Sequence, residues 1–365
     1  MAELDLITLS TRRFIKNARN KILDNIYQND PVFAYMRDTL KIDFTGGRLI
    51  QENFLYDVPT GGPYIKGGSF NITQKLTKQA IQVIPKFNYA NITLYKEDIQ
   101  VFNNGSDEAI FSIVKAATEE AYTWIGAQLS IGLYLNGQNA GFTANINGLA
   151  EALNDGTTAG FDGNTYGTYG TITRNGVVGS ALNSTPVNVA GTLEIPTLEE
   201  NYGAATFGDK EPNVIATTVL GFSYLKEKLF GLQRYESVTD IKAGITGLKF
   251  NGATILRSRY VPGSFISGAA LNVAGADPAV ANYMQNLTGV ANQAYPTLTG
   301  ETLWIINARN PYLNMYISSD PEFRFGFTGF KPAQDNTTIV GQILFAGNIT
   351  VPGPRYHKYL FGITG

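Results

Sequence analysis

The chain has no cysteine, which excludes disulfides, thiol nucleophiles and thiolate metal sites. Its single histidine, His357, cannot build a histidine-based metal centre alone. Charge is scarce. Asp, Glu, Lys and Arg make up 16% of the residues, against about 25% in an average soluble domain. The 28 bases and 30 acids nearly cancel, to a net −2, so no overall field points to nucleic acid or to a membrane surface. No apolar run is long enough to span a bilayer. Met1–Ser10 carries Glu3 and Asp5 and no basic start, so no secretory leader is expected. Catalytic signatures are missing as well: there is no G-x-x-x-x-G-K-[ST] loop, no G-x-G triplet and no G-x-S-x-G elbow. A Ser–His pair would need His357, which sits between Tyr356 and Lys358 and reads as a surface or interface residue. The adjacent acids Glu119-Glu120 and Glu199-Glu200 point apart on any helix. Catalytic, cofactor and metal sites are therefore not expected, and neither is an enzyme.

Aromatic residues are abundant: 20 Tyr and 21 Phe help bring the aromatic share to 12%. A chain with few charges and many rings needs either a large core or large permanent subunit interfaces, which are poor in charge and rich in aromatics. Composition leaves both routes open.

The pattern along the chain is organised around Ser106–Gly137, which reads as one long helix. Ser106 is a good N-cap and Asp107 and Glu108 suit the positive end of the helix dipole. Ile110, Ile113, Val114, Ala117, Ala121, Trp124, Ile125, Leu129 and Leu133 recur at helical spacing. Lys115, Glu119, Glu120 and Thr123 take the other face, and Asn136-Gly137 offers a left-handed stop. At ~1.5 Å per residue the helix spans ~45 Å. Ahead of it, residues 10–27 predict a shorter amphipathic helix whose polar surface carries Arg12, Arg13, Lys16, Arg19 and Lys21. Asn29-Asp30-Pro31 breaks that helix, and a short helical or irregular piece runs to Leu40.

Residues 48–98 read as a long two-stranded excursion. Its arms are Arg48–Val58 and Ile81–Tyr95. Phe87, Tyr89, Asn91, Thr93 and Tyr95 lie on one side of the return arm and Ile92 and Leu94 on the other. The tip holds Pro59, Gly61-Gly62-Pro63 and Gly67-Gly68. A two-stranded ribbon is marginal alone in water, so this one is expected to lean on something else. Its charge is one-sided: Lys66, Lys75, Lys78, Lys86 and Lys96, with no acid between Asp57 and Glu97. Residues 139–211 are rich in Gly, Asn, Thr and Ala, yet Leu149, Leu153, Ile172, Leu193, Ile195 and Leu198 look like anchors of a folded segment. From Pro212 the pattern turns α/β: a strand at Asn213–Thr218, a helix at Gly221–Leu232, and strands around Leu248–Phe250 and Ala253–Leu256 joined by the tight turn Asn251-Gly252. An elaborated loop fills 263–300, with one short helix near Ala279–Asn286. Strands follow at Leu303–Asn307, Leu313–Ile317, Phe323–Phe327, Ile339–Ile349 and Tyr356–Phe361.

This order resembles the major capsid proteins of tailed bacteriophages, with the Hong Kong 97-type fold. Local stretches carry the likeness too: Asn147–Gly156 after the long helix, Tyr169–Arg174, the strand at 213–218 with its Tyr224-bearing helix, Leu248–Gly252 leading to Tyr260–Gly263, and the closing Gly347–Ile349 and Leu360–Thr364. The resemblance implies an α+β capsid fold. It assigns an N-arm to 1–47, an extended β loop to 48–98, and a peripheral domain to 99–145 plus 338–365, with its spine helix at 106–137. An axial domain takes 146–337. It implies self-assembly into hexamers and pentamers that close an icosahedral shell around packaged double-stranded DNA, in the virion and, during assembly, in the host cytoplasm. It implies a portal, room for a decoration protein and no membrane; and, because the N-arm is short, either a separate scaffolding protein or a removed prosegment absent from this sequence. Family members that cross-link covalently use a loop lysine; Lys66, Lys75 and Lys78 are candidates here, but nothing marks a partner.

On this reading the loop lysines Lys66, Lys75, Lys78 and Lys86 lie over a neighbouring subunit. They pair there with Asp107, Glu108, Glu119 or Glu120 of the spine helix. Arg12, Arg13, Lys16, Arg19 and Lys21 face the interior, toward DNA phosphates or the scaffold. An encapsulin-like cargo shell, which shares the fold, is the alternative. A secreted β-rich adhesin or tail component would suit the Gly/Asn/Thr content but not the long helix.

Overall fold

The computed structural model describes residues 30–97, 107–135, 137, 145–230, 248–263, 300–332 and 337–365. The side chains of 107–113, 116 and 230 are outside that description. The expected N-terminal helix with Arg12, Arg13, Lys16, Arg19 and Lys21, and the short helix near 279–286, lie outside the described residues.

Helix α1 spans Pro31–Leu40. It falls on the piece expected as helical or irregular up to Leu40, and Asp30 is its N-cap. The Asp30 carboxylate accepts from the Val32 N–H at 3.2 Å, and Pro31 occupies a first-turn position where its missing N–H costs nothing. Val32, Phe33, Met36 and Leu40 then bury one face. Strands β1 (Lys41–Phe44), β2 (Ile50–Leu55), β3 (Lys78–Val83) and β4 (Lys86–Tyr95) follow. The long helix α2 is Asp107–Gly132, roughly 39 Å long.

α2 ends five residues before the expected Gly137. Chain returning from far along the sequence stops it. The Leu149 N–H donates to the Leu133 carbonyl at 2.7 Å, taking up an acceptor that a longer helix would use. Gly148 passes so close that a Cβ there would lie 2.6 Å from the Gly132 carbonyl oxygen.

The four-residue helix α3 (Leu149–Ala152) and the small hairpin β5 (Thr168–Tyr169) and β6 (Ile172–Thr173) come next. Then come β7 (Val187–Thr192), α4 (Ile195–Ala204), β8 (Val214–Thr217), α5 (Val219–Phe230), β9 (Leu248–Phe250) and β10 (Ala253–Arg257). The chain closes with β11 (Glu301–Ile306), β12 (Asn314–Ser318), β13 (Arg324–Phe327), β14 (Lys331–Pro332), β15 (Thr338–Thr350) and β16 (Lys358–Thr364). The Asn251-Gly252 turn forms as expected, with positive φ at both residues, as a tight two-residue hairpin requires. The Gly-rich stretch is folded: Leu149, Leu153, Ile172, Leu193 and Leu198 are all buried.

Two sheets organise the molecule. The first runs β1-β12-β15-β13, with β14 and β4 also on β15. The 13-residue β15 pairs over ten positions with β4, from Thr338↔Tyr95 to Gly347↔Lys86. α2 packs on this sheet, burying Val114, Ala121 and Ile125 with Ala90, Ile92 and Leu94. The second sheet runs β7-β16-β11-β8-β10-β9. Its central strands β8 and β11 are buried along their whole length, which is why they read as apolar runs without alternation. One face, with Ile215, Ile305 and Leu360, packs against Leu198 and Tyr202 of α4 and Leu225 and Leu229 of α5. The other face meets α1 and the end of α2. There Trp304 stacks on Tyr359 at 4.4 Å, beside Tyr134 and Phe161.

β12, β13 and β14, expected with the axial domain, join β15 in the first sheet, while β16 leaves for the second. The excursion at 48–98 also splits. β2 pairs with β3 from Ile50↔Val83 to Leu55↔Lys78, but β4 pairs with β15. The change of partner falls at Ile84-Pro85, where proline has no N–H for a ladder.

Candidate functional site

The β2–β3 ribbon has a fastened root and an uncovered end. At the root, one Glu52 oxygen accepts from Asn314 Nδ2 at 2.9 Å and Thr350 Oγ1 at 2.5 Å. The Tyr316 hydroxyl is a third neighbour, and its pKa is raised first by burial and then by the Glu52 carboxylate. The Gln82 N–H donates to the Gly170 carbonyl at 3.0 Å. Gly170 has φ +53°, and a Cβ there would sit 2.7 Å from Ile81 Cβ, so the small β5–β6 hairpin presses directly on β3. Asn348 Nδ2 donates to the Ile84 carbonyl at 2.6 Å, holding the point where the partner changes. Ile50, Phe54, Ile81 and Val83 are buried here.

Beyond the root the two arms lace to each other, and Tyr56 still leans on the core. The Tyr56 hydroxyl donates to the Leu76 carbonyl at 2.6 Å, and the Thr60 hydroxyl to the Thr73 carbonyl at 3.3 Å. Tyr64 and Phe70 sit with ring centroids 4.9 Å apart across the tip. The remaining apolar side chains there are in the open: Ile65 is 84% exposed and Ile72 93%, with Val58, Leu55 and Leu76 similar. Apolar side chains this exposed on one element mark a contact surface.

The loop lysines are placed differently from one another. Lys66 is exposed at the tip. Lys75 is paired within its own ribbon, 2.6 Å from Asp57. That bond holds the Asp57 carboxyl below the usual carboxylate range. Lys78 begins β3 and is exposed, whereas Lys86 begins β4 beyond the change of partner and is half-buried. On α2, Asp107 and Glu108 are the first two helical residues and their side chains lie outside the described set. Glu119 and Glu120 are exposed, and Glu119 is 4.0 Å from Lys115, one turn away. Of the expected network, Lys75 and Glu119 have ion-pair partners within the chain, Asp57 and Lys115.

A second open surface lies on the first sheet, on the face away from α2. The alternation expected for 87–95 is present: Ala90, Ile92 and Leu94 point to the helix while Phe87, Tyr89, Asn91, Thr93 and Tyr95 point out. Phe87 is 64% exposed, Tyr89 59% and Tyr95 55%. Opposite them on β15, Gln342 Nε2 donates to Asn91 Oδ1 at 3.1 Å. The face carries no charge from Phe87 to Tyr95.

Two buried polar nodes stabilise the body behind these surfaces. His357 is wholly buried, contrary to the surface role expected of it. Its Nδ1 accepts from the Asn307 N–H at 3.1 Å, so Nε2 carries the proton and faces the Tyr312 carbonyl at 3.2 Å. Burial pushes its pKa down to about 4. Arg174 is also wholly buried. Its guanidinium donates to the carbonyls of Glu151 (2.8 Å), Ala152 (2.9 Å), Asn154 (2.5 Å) and Leu182, and lies over the Tyr169 ring. Only a planar fork of donors serves four carbonyls at once. Sequence reasoning missed both, along with Glu52, Asn348 and the tip isoleucines. For the tip a signal existed: Ile65 and Ile72 stand among Gly, Pro and Asn with no periodic partner.

No family model matches the chain, and no curated protein matches it. Solved structures do. In the cyanophage A-1(L) capsid asymmetric unit a chain 13% identical aligns over 92% of this chain and 93% of that one, with a TM-score of 0.59. The capsid of the native GTA particle aligns at 8% identity over 91% and 90%, with a TM-score of 0.52. The holo-SrpI encapsulin complex of Synechococcus elongatus PCC 7942 aligns at 8% identity over 90% and 86%, with a TM-score of 0.51. Over about nine-tenths of its length, then, this chain has the α+β fold of the Hong Kong 97-type shell proteins.

Proposed function

We propose that the chain is the major capsid protein of a tailed bacteriophage. In this reading it assembles with copies of itself into hexamers and pentamers that close an icosahedral shell around double-stranded DNA. The observation that supports it above all is the likeness to a phage capsid chain over 92% of this chain. Two features fit the same role. The ribbon carries apolar side chains that stand exposed among the described residues, and charge is scarce in the composition, as suits a subunit whose surface is mostly interface. The role is structural, without catalysis. A separate scaffolding protein, a portal and a decoration protein are its partners, and contact with DNA is independent of sequence. Arg12, Arg13, Lys16, Arg19 and Lys21 are the bases assigned to the interior. Neutralising them lowers scaffold binding or DNA retention, the latter in a salt-dependent way. Domain roles follow the fold: the ribbon as extended loop, the first sheet with α2 as peripheral body, the second sheet as axial body.

Negative-stain electron microscopy with light scattering tests this. Closed shells, or rings of five or six subunits, are expected. A chain that stays monomeric at every concentration, alone and with its scaffolding protein, overturns it. The likeness to the encapsulin complex supports a second reading, a cargo shell. Particles recovered from the native host separate the two: nuclease-protected double-stranded DNA marks a capsid, an enclosed protein a compartment.

A further inference from the structure

Away from the ribbon and the first sheet, three rings form a row at the surface. The centroids of Phe207 and Tyr356 are 5.1 Å apart, and those of Tyr356 and Tyr312 4.4 Å. Three separate segments deliver them. Phe207 and Lys210 close a two-residue turn through mutual backbone bonds of 3.2 and 3.1 Å, with Gly208 at φ +63°. The Tyr312 carbonyl faces Nε2 of the buried His357 at 3.2 Å, and Tyr356 is the residue before that histidine. Gly353 lets the two tyrosines close in: a Cβ there would lie 2.8 Å from the Tyr356 ring and 3.4 Å from the Tyr312 ring. The row is held firmly from behind and open in front. Phe207 is 41% exposed, and both tyrosines are half-buried.

Cations flank the row. The Arg355 guanidinium lies over the Phe207 ring, 5.8 Å from its centroid. Arg309 reaches the Glu211 carbonyl at 3.4 Å, and Lys210 lies beside Tyr312 and Arg309. Lys210 is held by Asp209 at 2.6 Å. Both arginines are exposed, and among the described residues neither forms an ion pair with a carboxylate. Each part alone would suit a different ligand. Bare rings take a proline-rich peptide, and a pair of guanidinium groups takes a phosphate. Rings and unpaired guanidinium groups on one surface suit a ligand with flat π faces strung along anions. We propose that Phe207, Tyr312 and Tyr356, with Arg309 and Arg355, form a binding site for single-stranded nucleic acid. The rings take unpaired bases and the guanidinium groups take phosphates. A double helix, whose bases stack on one another, offers this surface its phosphates alone. The site is separate from the bases assigned to the N-arm, and it needs nothing from the shell-subunit reading.

Fluorescence anisotropy of a labelled oligothymidylate, titrated with the full-length chain, tests this. The single strand should bind more tightly than the same strand annealed to its complement. Phe207→Leu keeps apolar bulk but removes the ring, and should weaken single-strand binding on the order of tenfold while leaving duplex binding unchanged. Phe207→Trp should restore it. Arg309→Ala with Arg355→Ala removes two phosphate contacts, and should lower the slope of log affinity against log salt by about 1.4. The N-arm bases contribute equally before and after, so that difference belongs to the surface site. Should the double variant lose its thermal midpoint, Arg309→Gln alone replaces it, with an expected drop of about 0.7. No binding of the oligothymidylate overturns the proposal. So does a duplex bound as tightly as the single strand, or a Phe207→Leu chain that binds like wild type, since binding then rests on the N-arm or on charge alone. Each of these failures leaves the shell reading as it stands, because that reading is judged by particles in the microscope.

Discussion

His357 and Asp30 are buried titratable groups with opposite leanings. Burial holds the His357 pKa near 4, below the ordinary 6.5. The unfolded chain therefore takes up a proton that the folded one refuses, and stability falls as pH drops from about 6.5 toward 4. Asp30 is raised to about 6 by burial, against hydrogen bonds from Ser258, the Val32 N–H and Ser130 that favour its charge. The folded state keeps its proton longer, so stability falls as pH rises from about 4 to 6. Between those limits the two contributions oppose each other. Relative to wild type, Asp30→Asn should gain stability as pH rises from 4 to 6, by up to about 1.4 kcal/mol per pH unit. Urea-unfolding midpoints across that range check it; a difference independent of pH would show that Asp30 titrates normally. Neither burial was legible in the sequence. The partners of His357, Asn307 and Tyr312, lie 50 and 45 positions away, and neighbouring residue types say nothing of them.

Elements with a strict period were readable, and those governed by distant chain were not. The alternation of 87–95, the Asn251-Gly252 turn and the apolar runs of β8 and β11 follow from local rules, and all three formed. The end of α2 did not follow, because Gly148 and Leu149 set it from beyond the turn. Nor did the division of the 48–98 excursion. A ten-residue apolar alternation pairs equally well with either neighbour, and the choice depends on β15, some 250 residues later. The ribbon root depends on such a distant contact too, and Gly170 is its most exacting position. Gly170→Ala adds a Cβ against Ile81 at a left-handed φ, which should cost about 1–3 kcal/mol. Hydrogen exchange should show the Gln82 amide losing protection while the β4 amides keep theirs. Equal loss in both would mean that the root and the sheet unfold as one.

For the whole molecule, the balance between charge and apolar area decides how copies hold together. An interface built on loop lysines and helix acids weakens as salt rises. One built on Ile65, Ile72 and the aromatic strip does not, because excluded salts strengthen apolar burial. Charge reversal at Lys78 should leave assembly unchanged at low and high salt, whereas Ile65→Asp with Ile72→Asp should abolish particles while the monomer keeps its thermal midpoint. Light scattering across a salt series reads both, and particles that dissolve on adding salt would restore the lysines to the main role. The change of partner at Ile84-Pro85 also has a mechanical meaning. Tension on the ribbon enters the body at its root, and the part carried by the β3 arm passes through Ile84-Pro85 to the Lys86 end of β4. Drawn along the strand, that load is shared by the ten pairs with β15. Drawn across it, the load opens the ladder one pair at a time, and the grip of Asn348 on the Ile84 carbonyl stands where that peeling would begin.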